Sequence, residues 1–356
     1  MAKRAVHGGD FFAAIGLRLD HLENRSGIVN ADVLDAWYDP APSVVEAIRQ
    51  NLPWLIKTSP PTHGEGLVEV IAEARGLNVS NILLGAGSSS LIFLLFPRLF
   101  EGKKVGVLDP MYGEYAHVLG LCGAEVKRFE LEAPLFRPDP QALAQFASEL
   151  DGLVLVNPNS PTGVGSKKID VMTLLAGVPP TVTVWIDETY IDFLPGAESV
   201  EGLVANHPNL IVCKSMSKYY ALSGLRIGYC VANTALVDEA EEQTAPWSVG
   251  LIAQLAAAQA LRDPDYYKVK VAETLALGKE LAAGLTSHGY YPTPSDANFV
   301  LAHKPGGGVA RLVERAALRG VYVRNCDSLS PRFRDDYVRV AVKTLPEQVR
   351  ILEALS

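Results

Sequence analysis

Lys214 Ser215 Met216 Ser217 Lys218 is followed, eight residues after the second lysine, by Arg226 Ile227 Gly228 Tyr229. The stretch gathers one amine, two hydroxyls and a guanidinium in a short loop after an apolar run. An amine can condense with an aldehyde, and hydroxyls with a guanidinium can hold a phosphate. A Schiff-base cofactor that carries a phosphate needs this set. Lys218 taken alone reads as a surface-turn lysine; the spacing as a whole points to chemistry.

Other segments add compatible groups. Asp187 closes the apolar run 182–186 and opens Asp187 Glu188 Thr189 Tyr190; alone, an aspartate after a strand is most often a helix N-cap. Asn157 Pro158 Asn159 Ser160 Pro161 Thr162 Gly163 forms a Pro- and Gly-rich turn after another apolar run. Gly85 Ala86 Gly87 Ser88 Ser89 Ser90 is a glycine turn leading into an apolar helix, whose first amides can face an anion. Arg339 interrupts the apolar stretch 337–342, and a buried guanidinium requires an anion.

Together these motifs resemble the fold type I pyridoxal-phosphate enzymes, specifically the class I/II aminotransferase family, over about residues 80–345. The resemblance implies that Lys218 carries the cofactor as a Schiff base, with Ser215, Ser217 and Arg226 on its phosphate. It places Gly87, Ser88 and Ser89 on the same phosphate and Tyr112 against the ring. Asp187 would keep the ring nitrogen protonated so that the ring accepts an electron pair, and Tyr190 would reach O3′. Asn159 is assigned as a second O3′ donor, with Ser160 standing where many members have another asparagine.

His7 Gly8 Gly9 Asp10, Pro246 Trp247 Ser248 Val249, Arg324 Asn325 Cys326 and Arg339 Val340 Ala341 Val342 narrow the resemblance toward the threonine-phosphate decarboxylase and histidinol-phosphate aminotransferase branches. It implies that Arg339 forks onto a substrate α-carboxylate while His7 and Arg324 hold a distal phosphate. Two departures stand out. The usual Tyr-Pro-Asp segment, which reaches the partner subunit's cofactor, is replaced by Thr58 Ser59 Pro60 Pro61 Thr62 His63 Gly64, with His63 as a candidate substitute. The Asn-x-Asn-Pro entry segment is also missing, and the stretch from Asp32 to Pro42, with Trp37 and Tyr38, matches nothing familiar. The expected activity is α-decarboxylation of a small phosphate- or phosphonate-bearing amino acid, with transamination onto a 2-oxo acid as the alternative and a non-catalytic ligand-binding protein as a remote third.

These residues must be positioned by alternating elements. Apolar runs at 104–108, 125–131, 152–157, 181–187, 209–214 and 225–231 read as strands, with helices at 139–150, 168–176 and 198–206 between them. That pattern predicts an α/β fold with a large three-layer α/β/α domain and a mostly parallel sheet. Long Ala- and Leu-rich helices at 249–261 and 266–285 bridge to strands at 298–303, 321–323 and 337–342 and helices at 309–319 and 346–355, a small α+β C-terminal domain. The expected division is an N-terminal arm at 1–45, a large domain at 46–245, and the interdomain helix with the small domain at 246–356.

With 32 Lys plus Arg against 40 Asp plus Glu, a net charge of −8 argues against an extended nucleic-acid surface. No apolar run approaches the roughly 20 residues that span a bilayer, and the start shows no signal-peptide pattern, so a cytoplasmic location is expected. Cys122, Cys213, Cys230 and Cys326 are scattered and read as free thiols, and no metal site is predicted. The resemblance alone implies a homodimer with shared active sites. Neither GxGxxG nor GxxxxGK[ST] occurs, which argues against a nucleotide-binding enzyme.

Overall fold

Runs of Val, Ile and Leu buried on both faces dictate the centre of the molecule, because such strands must be covered by helices above and below. In the computed structural model, which describes residues 7–196 and 198–356, seven strands form one sheet. They are β1 (Ile82–Gly85), β2 (Lys104–Asp109), β3 (Glu125–Glu130), β4 (Gly152–Val156), β5 (Thr183–Asp187), β6 (Leu210–Ser215) and β7 (Gly228–Val231). Their order is β1-β7-β6-β5-β4-β2-β3. Neighbours from β6 across to β3 are parallel, whereas β7 runs antiparallel to both β1 and β6. The expected mostly parallel sheet is therefore present.

The reversal of β7 has a local cause. The link from Ser215 to Gly228 contains only a short helical turn, Ser223–Leu225, so it turns the chain back rather than crossing over. Consequently the loop bearing Lys218 and Arg226 lies on the same sheet edge as the C-terminal ends of the parallel strands. Open α/β sheets bind ligands along that edge.

The run expected as a helix at 198–206 contains instead a short 3₁₀ segment, Glu201–Ala205. Its entry is tied down by the buried Glu188, which accepts hydrogen bonds from the Ser199 hydroxyl and the Val200 amide. The next strand then begins at Leu210, leaving no room for a longer helix.

A second, four-stranded antiparallel sheet has the order β10-β11-β9-β8, with β8 at Tyr291–Pro292, β9 at Phe299–His303, β10 at Arg324–Asn325 and β11 at Tyr337–Ala341. Residues Val29–Asn30 pair in parallel with Val321–Tyr322, tying the N-terminal arm to this part of the chain; residues 1–6 of the expected arm lie outside the described residues. Helix Pro42–Lys57 packs against Leu251–Leu261, which precedes the long helix Pro264–Ser287. Among the described residues no helix is long and apolar enough to cross a membrane, and no cluster of metal-ligating side chains occurs.

Candidate active site

Aromatic packing sets the floor of the site. Trp185, on β5, is fully buried and meets Phe96 edge-to-face at 5.0 Å. Its indole N–H donates to the Tyr115 hydroxyl at 3.0 Å, which in turn donates to Asp187 Oδ2 at 2.7 Å. The Thr189 amide and hydroxyl occupy Asp187 Oδ1 at 2.8 and 2.6 Å. Asp187 thus sits at the end of β5 with its orientation fixed. Burial pushes its carboxyl above the ordinary value, and these hydrogen bonds oppose that only in part. No ion pair to Asp187 occurs among the described residues, although it lines a solvent-connected cleft of about 970 Å³. A cation entering there, such as a protonated ring nitrogen, would supply the missing partner.

Arg226 and the start of a helix make a second station. Helix α1 (Ser88–Phe100) begins after Gly87, whose φ is +83°. A Cβ on Gly87 would lie 2.6 Å from Arg226 Nη2, so the glycine is what lets the guanidinium approach the helix N-terminus. A Cβ on Gly228 would meet Ser88 N at 2.9 Å, which brings β7 equally close. Arg226 Nη1 donates to the Ser217 hydroxyl at 3.3 Å and the Ser223 carbonyl at 3.0 Å. Ser88, Ser89, Ser215, Ser217 and Arg226 all line the cleft, a cradle that suits a phosphate.

Lys218 lies between these stations. Burial lowers the pKa of its amine, opposed by Asp35, whose Oδ1 is 3.1 Å from Nζ. Tyr190 and Tyr112 line the same cleft, and burial raises both phenols, Tyr112 to about 12. Opposite stands the small sheet, where Arg324 on β10 and Arg339 on β11 are direct cross-strand partners. Arg339 donates to the Ser160 hydroxyl and the Asp32 carbonyl, both at 3.1 Å, and its Nε is buried with no partner among the described residues. Arg324 donates to the Ser328 hydroxyl at 3.3 Å. His7 Nε2 lies 2.6 Å from Glu114 Oε2, and both residues line the cleft.

These positions place an amine, a phosphate cradle, a buried carboxylate and a pair of guanidinium groups around one cleft. The profile of the family "Aminotransferase class I and II" matches residues 30–355. The chain belongs to this family. Its members are pyridoxal-phosphate enzymes, and this chain is one of them. It is 31% identical over 326 residues to histidinol-phosphate aminotransferase 1 of Bordetella parapertussis, covering 89% of this chain and 88% of that one. It is 30% identical over 295 residues to a protein of Caldanaerobacter subterraneus subsp. tengcongensis provisionally named threonine-phosphate decarboxylase, covering 81% and 80%. In fold it resembles histidinol-phosphate aminotransferase from Clostridium acetobutylicum, with a TM-score of 0.84 at 24% identity over 92% of this chain and 98% of that one.

Two of the residues expected at the site do not line the cleft: Gly87, which lies behind Arg226, and Asn159. Asn159 is buried, spends its amide protons on the Pro110 carbonyl at 3.0 Å and Thr162 Oγ1 at 3.1 Å, and does not line the cleft. Its neighbour Ser160 does. The turn simply places alternate side chains on opposite sides, so the residue that departs from the family pattern is the one that faces the ligand space. His63 also stays out of this chain's cleft, at the exposed turn before helix Glu65–Arg75. Asp35, Tyr115, Thr189 and Glu114 were not singled out from the sequence. Only Thr189, inside the Asp187 to Tyr190 motif, carried a local signal.

Proposed function

We propose that the enzyme removes the α-carboxylate, as CO₂, from a small amino acid that bears a second anionic group, a phosphate or phosphonate. The observation that supports this reading is the register of Arg324 against Arg339. Both side chains line the cleft, with the buried Asp32 beside them. A ligand with two acids can meet a guanidinium with each of them.

In this reading Arg339 takes the carboxylate end, while Arg324 and His7 take the distal group. When bound, pyridoxal phosphate supplies a ring that accepts the electron pair of a breaking bond at Cα. Asp187 holds the proton at the ring nitrogen, and Arg226 with Ser217 and the first turn of α1 anchors the phosphate. Lys218 Nζ would join the cofactor aldehyde and carry a proton to or from Cα. Anchoring the distal acid on Arg324 and His7 would fix which bond at Cα is presented to the cofactor. The carboxylate would then leave as CO₂, with a proton taking its place on Cα.

Transamination is the second reading, favoured by the 31% identity to a histidinol-phosphate aminotransferase. There, Arg339 would keep the carboxylate in place and Lys218 would take the Cα proton. We place the enzyme in a homodimer under either reading. Supporting this, Leu52, Trp54 and Ile56 on one helix, and Trp247, are exposed large apolar side chains.

The test is to incubate the loaded enzyme with phosphorylated and phosphonate amino acids without any 2-oxo acid. Multiple turnovers of CO₂ with the starting cofactor spectrum restored are expected. A single-turnover spectral change without CO₂, reversed only by adding a 2-oxo acid, would overturn decarboxylation in favour of transamination.

A further inference from the structure

Asp35 belongs to the 32–42 stretch that the family motifs left unassigned, yet its carboxylate reaches the Schiff-base lysine. Its Oδ1 lies 3.1 Å from Lys218 Nζ. The contact is not an incidental surface pair, because the backbone around it is fixed from several sides. Asn298 Nδ2 donates to the Leu34 carbonyl at 3.0 Å, and Lys343 Nζ to the Asp35 carbonyl at 3.2 Å. Trp37 donates to Thr274 Oγ1 at 2.9 Å. The Tyr38 hydroxyl donates at 2.6 Å to the carbonyl of Tyr219, the residue immediately after the lysine. The segment carrying the carboxylate and the loop carrying the amine are therefore tied together.

The charges around the lysine explain why an anion belongs there. Arg226, in the loop before β7, and Arg339, on β11, both disfavour a proton on Nζ, as does burial. Lys343 adds a third cation beside Asp35 and, with Lys218, favours its ionised carboxylate. Tyr190 faces the same space from the turn after β5. Asp35 is the carboxylate paired with Nζ among the described residues.

We propose that Asp35 is a positioning residue that holds the proton on Lys218 Nζ and so sets the pH range over which that nitrogen is charged when it is joined to the cofactor. A charged nitrogen makes the carbon bonded to it easier for a substrate amine to attack. When that amine displaces the lysine, the C=N bond to Nζ would give way to one to the substrate nitrogen, and one proton would pass from the incoming amine to Nζ. Asp35 would stay within reach of the released amine. The role is the same whether CO₂ or a Cα proton leaves afterwards.

The test compares wild type, Asp35→Asn and Asp35→Glu, each loaded with pyridoxal phosphate, by titrating the visible absorption band against pH. An opposite charge at this distance moves a pKa by about one to three units. The Asp35→Asn midpoint is expected about one unit or more below wild type, with Asp35→Glu restoring most of the difference. An unmoved midpoint in Asp35→Asn overturns the proposal, even if KM rises, since that result would mean contact with substrate alone. Should Asp35→Asn fail to retain cofactor, acetylation of Lys218 in the cofactor-free proteins, followed by mass spectrometry across pH, gives the second readout. Half-maximal reactivity at lower pH in the variant supports the proposal, and identical profiles overturn it.

Discussion

Tyr115 donates its hydroxyl proton to Asp187 Oδ2 at 2.7 Å beneath the floor of the cleft, so the carboxylate is oriented from below while its upper side faces the ligand space. Burial nevertheless raises the Asp187 pKa above its ordinary 3.8. A raised acid binds more protons in the native than in the unfolded chain. Its stabilising contribution is complete below 3.8 and is lost as pH rises through the native value. The cofactor-free protein should therefore lose part of its thermal stability as pH climbs above about 4, and Asp187→Asn should lack that component. Melting temperatures of the two proteins across pH check this, and parallel curves would refute it. With cofactor present, Asp187→Asn should be severely impaired in turnover.

Arg324→Gln should discriminate between substrates. A charge-assisted hydrogen bond contributes about 1.5–3 kcal/mol, so kcat/KM for a phosphorylated amino acid should fall roughly 10- to 150-fold. The same variant should change little toward the unphosphorylated analogue. Arg339→Gln should depress both. Steady-state kinetics with the paired substrates decide the matter, and equal losses for both substrates in Arg324→Gln would remove the distal-anion assignment.

Gly87→Ala should weaken cofactor binding. The backbone at φ +83° and ψ 162° is essentially restricted to glycine, and the new methyl would meet Arg226 Nη2. Strain of this kind costs on the order of 1–3 kcal/mol. Equilibrium titration with pyridoxal phosphate should show at least a several-fold rise in Kd, with the Lys218-dependent spectrum retained at saturation.

Glu188→Ala should destabilise the fold itself. Lys214 Nζ lies 3.1 Å from Glu188 Oε2, with both side chains almost fully buried. Removing one member of a buried pair strands the other charge, at a cost of roughly 3–5 kcal/mol. Urea denaturation measures the loss; a change under about 1 kcal/mol would mean that Asp192 and Glu201, which also favour the Lys214 charge, suffice to hold it.

What the sequence revealed follows from how local each signal is. Strands such as Gly152–Val156 and Thr183–Asp187 are continuous apolar runs, and their ends carry the motif residues directly, so Asp187, Lys218 and Arg226 could be placed without coordinates. Ile82–Gly85, Tyr291–Pro292 and Arg324–Asn325 are strands of two to four residues that leave too little pattern to find. Asn159 and Ser160 show the limit of motif reading, since adjacent turn residues face opposite ways and only the fold says which one faces the cleft. Asp35 was hidden for a different reason. It is 183 residues from Lys218 along the chain, and neither its type nor its neighbours announce the pairing.

The central claim, that Lys218 carries the cofactor in this cleft, is tested most directly by reducing the loaded enzyme with borohydride and mapping the modified peptide. A pyridoxyl adduct on Lys218, lost in Lys218→Ala, is the predicted result. An adduct on another lysine, or an unchanged visible spectrum in Lys218→Ala, would contradict the assignment.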